Sequence, residues 1–214
     1  MLRPRGVIVL VFWFAVGAPV LADPGWQAAE GSGCLVWNAE PSAGSRVTWS
    51  GPCKDRRANG QGELVWRWDG NTMRYVGDMR DGKSHGRGVV TFPNGNRYEG
   101  DWVDDKRTGH GVYTWANGER YEGDFVDGKP TTGVVTWANG DRYKGDFVDD
   151  KRAGRGKMTK ANGDWYEGEW SGGFADGEGK AVINGKKYEG VWARGCLRSS
   201  EQRAAWDVPR HECP

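Results

Sequence analysis

Residues 96–125 read NRYEGDWVDDKRTGHGVYTWANGERYEGDF, and the stretch almost returns to its start before it ends: RYEGDW at Arg97 becomes RYEGDF at Arg120. Equivalent tyrosines fall at Tyr75, Tyr98, Tyr121, Tyr143, Tyr166 and Tyr188, spaced 23, 23, 22, 23 and 22 residues apart. A period of this size marks an array of stacked supersecondary units. Each unit holds two runs: Tyr-x-Gly-x-aromatic, as in Tyr98, Gly100 and Trp102, and Gly-x-apolar-x-apolar, as in Gly111, Tyr113 and Trp115. Both alternate with a period of two and so read as half-buried strands. Asn-Gly separates the units at Asn94, Asn117, Asn139, Asn162 and Asn184, with Asp69-Gly70 once in its place. That dipeptide between alternating runs predicts a tight hairpin in which both turn residues take positive φ. The other connection, DDKRTGHG from Asp104, reads as a longer polar loop. The predicted fold is all-β: an elongated, single-layer, twisted antiparallel sheet of consecutive hairpins, with about 13 strands between Trp49 and Trp192.

Alternation sorts the side chains onto two faces. One carries Tyr75, Tyr98, Tyr121, Tyr143 and Tyr166, the glycines two positions later, and Trp102, Phe125, Phe147 and Trp170; Leu64, Trp66, Phe92, Trp115 and Trp137 join it from the second strands. Glycine beside each aromatic lets a neighbouring ring lie over bare backbone, so the sheet can make its own thin core. An open sheet rarely covers such a face, and exposed apolar patches mark interaction sites. The candidate binding face is therefore Trp66, Phe92, Tyr98, Trp102, Trp115, Tyr121, Phe125, Trp137, Tyr143, Phe147, Tyr166 and Trp170. It would suit a protein segment, a second copy of the chain or a glycan. The opposite face carries Arg97, Glu99, Asp101, Arg120, Glu122, Asp124, Arg142, Lys144 and Asp146 and reads as a solvated surface.

YEGDWVDDKRTGHGVYTWANGERYEGDF, beginning at Tyr98, resembles the MORN (membrane occupation and recognition nexus) repeat, with several glycines and aromatics at the family's offsets in several units. The resemblance covers about Trp49 to Gly195. Pro130 and Thr131 disturb one loop, SGGFADGEG after Trp170 lacks the Lys and His, and the series stops at YEGVWARGC. It implies an extended antiparallel sheet and a role as a scaffold, partner-binding or membrane-associating module; the enzyme domains that some family members carry would need a longer stretch than any here.

The two ends differ from the array. MLRPRG, VIVLVFWFAV and GAPVLA form a basic, an apolar and a small-residue region, which predicts an export signal cleaved after Ala22; an uncleaved anchor is the alternative. Cleavage removes Arg3 and Arg5 and leaves 28 basic against 29 acidic residues, so net charge points to no nucleic-acid partner. Export to a periplasm or the exterior places the cysteines where disulfides persist. Thirteen strands at about 4.8 Å hold the ends roughly 55–60 Å apart, so Cys34 should pair with Cys53 and Cys196 with Cys213. The expected organisation is an export signal (1–22), an N-terminal cap (23–48), the array (49–195) and a C-terminal cap (196–214). The array's units fall at 49–74, 75–97, 98–120, 121–142, 143–165 and 166–187, with a partial 188–195. In the last segment SSEQRAAW reads as a short helix capped by Ser199 or Ser200, with Trp206 free to cover the last strand.

Catalytic, cofactor and metal sites are not expected. No phosphate loop, dinucleotide fingerprint or Ser, His and Asp grouping occurs. His85 and His110 share one loop position in adjacent units, without a third ligand nearby. The row Lys83, Arg87, Lys106, Arg107, Lys129, Lys151, Arg152 and Arg155 reads as a loop edge balanced by Asp81, Asp104, Asp105, Asp149 and Asp150 rather than a lipid-phosphate site.

Overall fold

The computed structural model describes residues 25–39 and 42–213. The export-signal expectation, at residues 1–22, lies outside them. Among the described residues fourteen strands form one antiparallel sheet, and from Gly60–Trp68 onward neighbours in space are neighbours in sequence. The order runs from Arg46–Trp49 through Gly60–Trp68, Asn71–Arg80, Lys83–Thr91, Arg97–Val103, Lys106–Thr114 and Arg120–Val126. It continues through Lys129–Thr136, Arg142–Val148, Lys151–Thr159, Trp165–Ser171, Phe174–Ile183 and Lys186–Ala193 to Cys196–Leu197. The sheet does not close on itself. A second sheet of four short strands (Gly25–Ala28, Leu35–Asn38, Arg57–Ala58, Cys53–Lys54) caps the N-terminal end. It is anchored where the Trp37 N–H donates to the Gly82 carbonyl at 2.9 Å. Both expected disulfides form, Cys34–Cys53 and Cys196–Cys213, with Cα–Cα distances of 5.7 and 5.4 Å.

The turns exchange the roles expected of them. At Asn94-Gly95 only the glycine has positive φ (85°). The Gly95 N–H donates to the Phe92 carbonyl at 3.0 Å, and the Phe92 N–H donates to the Asn96 carbonyl at 2.9 Å, which closes a three-residue loop. Asn94 acts through its side chain instead, accepting the Asn96 N–H at 3.0 Å. Asn117, Asn139 and Asn162 repeat this arrangement. The tight two-residue turns lie at the other end. Asp104 and Asp105 both take positive φ (48° and 67°), and Val103 sits directly opposite Lys106. What reads as a loop is thus a tight turn followed by a strand with an irregularity: Asp101 faces Thr108 while its neighbour Gly100 faces Gly111. Gly109, with φ of 52°, turns the chain inside this bulge. The two 22-residue spacings follow from these devices. Between Asp124–Phe125 and Pro130–Thr132 the shift is one residue smaller, and Asn184-Gly185, both at positive φ, make a two-residue turn.

The C-terminal helix does not form. Residues 199–206 run as an extended, bent segment, and the one helical piece among the described residues is a 3-10 turn at Arg210–Glu212. Ser199 accepts the N–H groups of Glu201 and Gln202, both at 3.2 Å, as a cap would. The continuation is diverted: the Leu197 N–H donates to Ala204 and the Trp206 N–H to Gly195, so the tail pairs with the last turn of the array.

Candidate binding groove

Each unit builds its core from one tyrosine laid over two glycines. A Cβ at Gly100 or Gly111 would meet the Tyr98 hydroxyl oxygen at 2.5 Å, so the ring occupies the space where side chains would stand. The hydroxyl then donates to the Asp101 carbonyl at 3.1 Å, and Tyr75, Tyr121, Tyr143 and Tyr166 bond equivalent carbonyls. Burial raises the pKa values of these phenols, to about 12 for Tyr98 and Tyr121, so they remain neutral donors. Between tyrosines stand the second aromatics of each first strand. Tyr75, Trp102, Tyr98, Phe125, Tyr121, Phe147, Tyr143, Trp170, Tyr166 and Trp192 form an unbroken series of edge-to-face contacts with centroids 5.1–5.6 Å apart. Each such contact contributes about 0.5–1.5 kcal/mol beyond its buried area. Sequence alone suggests that a ring fills its neighbour's gap; the glycine gap is filled by the unit's own tyrosine, and neighbours meet through the ring edges.

This packing narrows the candidate face. Trp66, Tyr98, Trp102, Tyr121, Phe125, Tyr143, Phe147, Tyr166 and Trp170 are buried. Phe92, Trp115 and Trp137 stay half-buried beside the Asn-Gly turns, and Tyr113 joins them. Phe92 and Tyr113 rim a groove of about 770 Å³ over the N-terminal half of the ladder, floored by Trp66, Tyr75 and Trp102, while Trp115 and Trp137 lie beyond it against the same core. Trp37 and Ser45 enter it from the N-terminal segment, and Arg107 from Lys106–Thr114.

Arg107 and Arg152 do not lie on a loop edge. Arg107 is opposite Trp102 and Arg152 opposite Phe147, so both share the aromatic face. The Arg107 guanidinium stands 5.6 Å over Tyr98, 5.4 Å over Tyr113 and 5.3 Å over Phe125, and donates to the Gly128 carbonyl at 2.6 Å. Arg152 repeats the arrangement two units on, 6.0 Å over Tyr143 and 4.3 Å over Trp170, donating to Gly173 at 2.7 Å. The two differ in what meets them. Asp207 of the tail pairs with Arg152 at 3.0 Å and with Lys160, while Trp206 lies 6.0 Å from the Tyr166 ring and is 1% exposed. Burial alone would raise the Asp207 pKa, but Lys160 and Arg152 outweigh it and hold the carboxyl below the ordinary range. Among the described residues, no carboxylate lies within ion-pair distance of Arg107. Asp105, nearby in the groove wall, accepts the Ser84 N–H at 2.7 Å, and burial pushes its carboxyl upward.

The opposite face is a lattice of exposed ion pairs. Within strands, Arg97 meets Glu99 at 2.7 Å and Arg120 meets Glu122 at 2.6 Å; across strands, Lys157 meets Glu167 at 2.9 Å. Solvent screens such exposed pairs, so they add little to stability. His110 stands 3.8 Å from Glu122 and 3.5 Å from Asp124, and His85 3.9 Å from Asp104. Among the described residues no group of three His, Cys, Asp or Glu side chains could hold a metal ion, and no helix is long and apolar enough to cross a membrane.

Among curated proteins none matches the chain. The MORN repeat family model matches residues 75–97, 98–120, 121–131, 143–165 and 166–182. The first two matches run from one ladder tyrosine to the residue before the next, and the third stops where Pro130 and Thr131 shorten the bulge. Recurrent tyrosines over glycine pairs, antiparallel hairpins in series and these five consecutive matches agree: the chain is a MORN repeat protein.

Proposed function

We propose that the protein is an exported, non-enzymatic binding module that recognises a protein partner through the half-buried rim of its aromatic face. MORN repeats supply the scaffold. The supporting observation for the binding site is the division within the face: the ladder is satisfied by itself, whereas Phe92, Tyr113, Trp115 and Trp137 stay half-buried, with Phe92 and Tyr113 bordering an open groove. Rings in a central, well-packed pocket are the usual anchors of protein interfaces. Two disulfides near the ends of the array suit an oxidising compartment. Stacking a glycan would call for ring faces open side by side, and the ladder rings instead meet edge to face.

The test uses crosslinking in envelope extract, identification of the crosslinked protein, and reconstituted binding with that purified partner. Trp115→Ala together with Trp137→Ala should weaken the reconstituted complex by at least about thirtyfold, since losing one anchoring ring typically costs about 2 kcal/mol. Circular dichroism checks that the sheet persists. A folded double variant that binds as wild type would refute the assignment and move attention to Glu99, Asp101, Glu122 and Asp124.

A further inference from the structure

We propose that Arg107 is the carboxylate receptor of the groove, and that the partner segment it takes carries an aromatic side chain followed by an acidic one. This rests on the protein-binding reading above and names the chemistry of the partner. The protein already binds one such segment, its own. In the C-terminal tail Trp206 packs against Tyr166, and the next residue, Asp207, ion-pairs with Arg152. Arg152 is itself positioned by its bond to Gly173 and by the rings of Tyr143 and Trp170 beneath it.

The same receptor is built a second time around Arg107. Arg107 and Arg152 each lie nine residues after their unit's tyrosine. Each guanidinium covers that tyrosine and the aromatic four residues after the next one, Phe125 in one case and Trp170 in the other. Each donates to the second residue of the next tight turn, Gly128 or Gly173. The positions at this offset in the other units are Ser84, Pro130 and Ala175, so the receptor is specific to two units and is not a property of every repeat. One copy is filled by the tail; the other opens onto the groove, and among the described residues its guanidinium has no carboxylate partner. The surroundings also differ in a way that sets specificity. Met158 and Lys160 beside the filled copy correspond to Tyr113 and Trp115 beside the open one. The open copy therefore has one cation fewer and two more rings, which favours a segment with a single carboxylate and a larger apolar part.

The probe is a fluorescein-labelled peptide of residues 202–210, QRAAWDVPR, added to the full-length oxidised protein and followed by anisotropy. The protein's own tail is tethered by Cys196–Cys213 and holds the Arg152 copy, so the added peptide reads the open one. Arg107→Gln should weaken binding at least about tenfold, the scale of one lost charge-assisted contact. Peptides carrying Asp207→Asn or Trp206→Ala should each weaken it similarly. The Asp207→Asn peptide should bind wild type and Arg107→Gln alike, and this peptide-side comparison holds even if Arg107→Gln lowers stability. Absence of binding, or binding that Arg107→Gln leaves unchanged, overturns the proposal. So does self-association abolished by Arg107→Gln without peptide binding, which would assign the groove to a second copy. If the peptide fails while the crosslinked partner is still lost in the Trp115 and Trp137 variant, the aromatic-face reading stands and the Arg107 assignment alone falls.

Discussion

Gly111→Ala is the sharpest test of how the sheet makes a core without a second layer. The new methyl carbon would lie 2.5 Å from the Tyr98 hydroxyl oxygen, 2.6 Å from Cε2 and 2.7 Å from Cζ. Ordinary contact requires about 3.5–4.0 Å, so the ring must move by roughly 1 Å. That motion strains a well-packed site, at about 1–3 kcal/mol. It also weakens the bond to the Asp101 carbonyl, about 1 kcal/mol, and disturbs the contacts with Trp102 and Phe125. A total near 3–4 kcal/mol follows, or about 10 °C in Tm at roughly 2–4 °C per kcal/mol for a chain of this size. The control is Gly118→Ala, where φ is 89° and nothing lies within 4 Å of the new carbon. Only backbone strain opposes it, about 1–2 kcal/mol. Urea titrations followed by tryptophan fluorescence measure both, and repeating Gly111→Ala in a Tyr98→Leu background measures the coupling. The reasoning is refuted if Gly111→Ala costs no more than Gly118→Ala, or if its cost is the same with and without the tyrosine.

Cys213→Ser should release the tail while leaving the array folded: a 17-residue loop closure is worth about 3 kcal/mol, so Trp206 emission should shift red and trypsin should cut at Arg203 while the circular dichroism holds. Because the Asp207 pKa is depressed in the folded state, its contribution is complete above the ordinary aspartate value and disappears as pH falls through the folded one. Tail protection from trypsin or hydrogen exchange should therefore hold from pH 7 to about 4 and fall below that; a step centred above pH 5, or one retained in Asp207→Asn, would contradict this. Asp105 has the opposite sign. Burial raises its pKa, so its charge opposes folding at neutral pH, and Asp105→Asn, which keeps an oxygen for the Ser84 N–H, should stabilise at pH 7 with a gain that shrinks on acidification.

The period-two pattern of Tyr98, Gly100 and Trp102 carries the strands, the faces and the strand order, because alternation and repetition are local facts. The disulfide pairing is legible too, since it needs only the distance between the ends. Turn geometry is harder to read. Asn-Gly is the stronger tight-turn signal in isolation, yet Asn94 spends its side chain on the Asn96 N–H and leaves positive φ to glycine alone, while Asp104 and Asp105 take the left-handed conformation. That error hid the groove's cation. With the tight turn at Asp104–Asp105, Lys106 faces Val103 and Arg107 faces Trp102, and parity alone then puts Arg107 among the rings. The tail helix failed for a different reason: Ser199 offers a helix start, but the segment's backbone groups find partners in Gly195 and Leu197, which no local pattern announces.

The phased ring ladder also has a metrical consequence. Each unit presents its successor with the edge it received, and both turns close inside the repeat, so whole units can be counted in or out without retuning the rest. Excising residues 98–120 would join Arg97 to Tyr121, restore the Arg-Tyr step, and bring the two capped ends closer by two strand spacings, about 10 Å. The distance between the N-terminal cap and the docked tail is thus quantised, and the array works as a ruler whose smallest division is one hairpin.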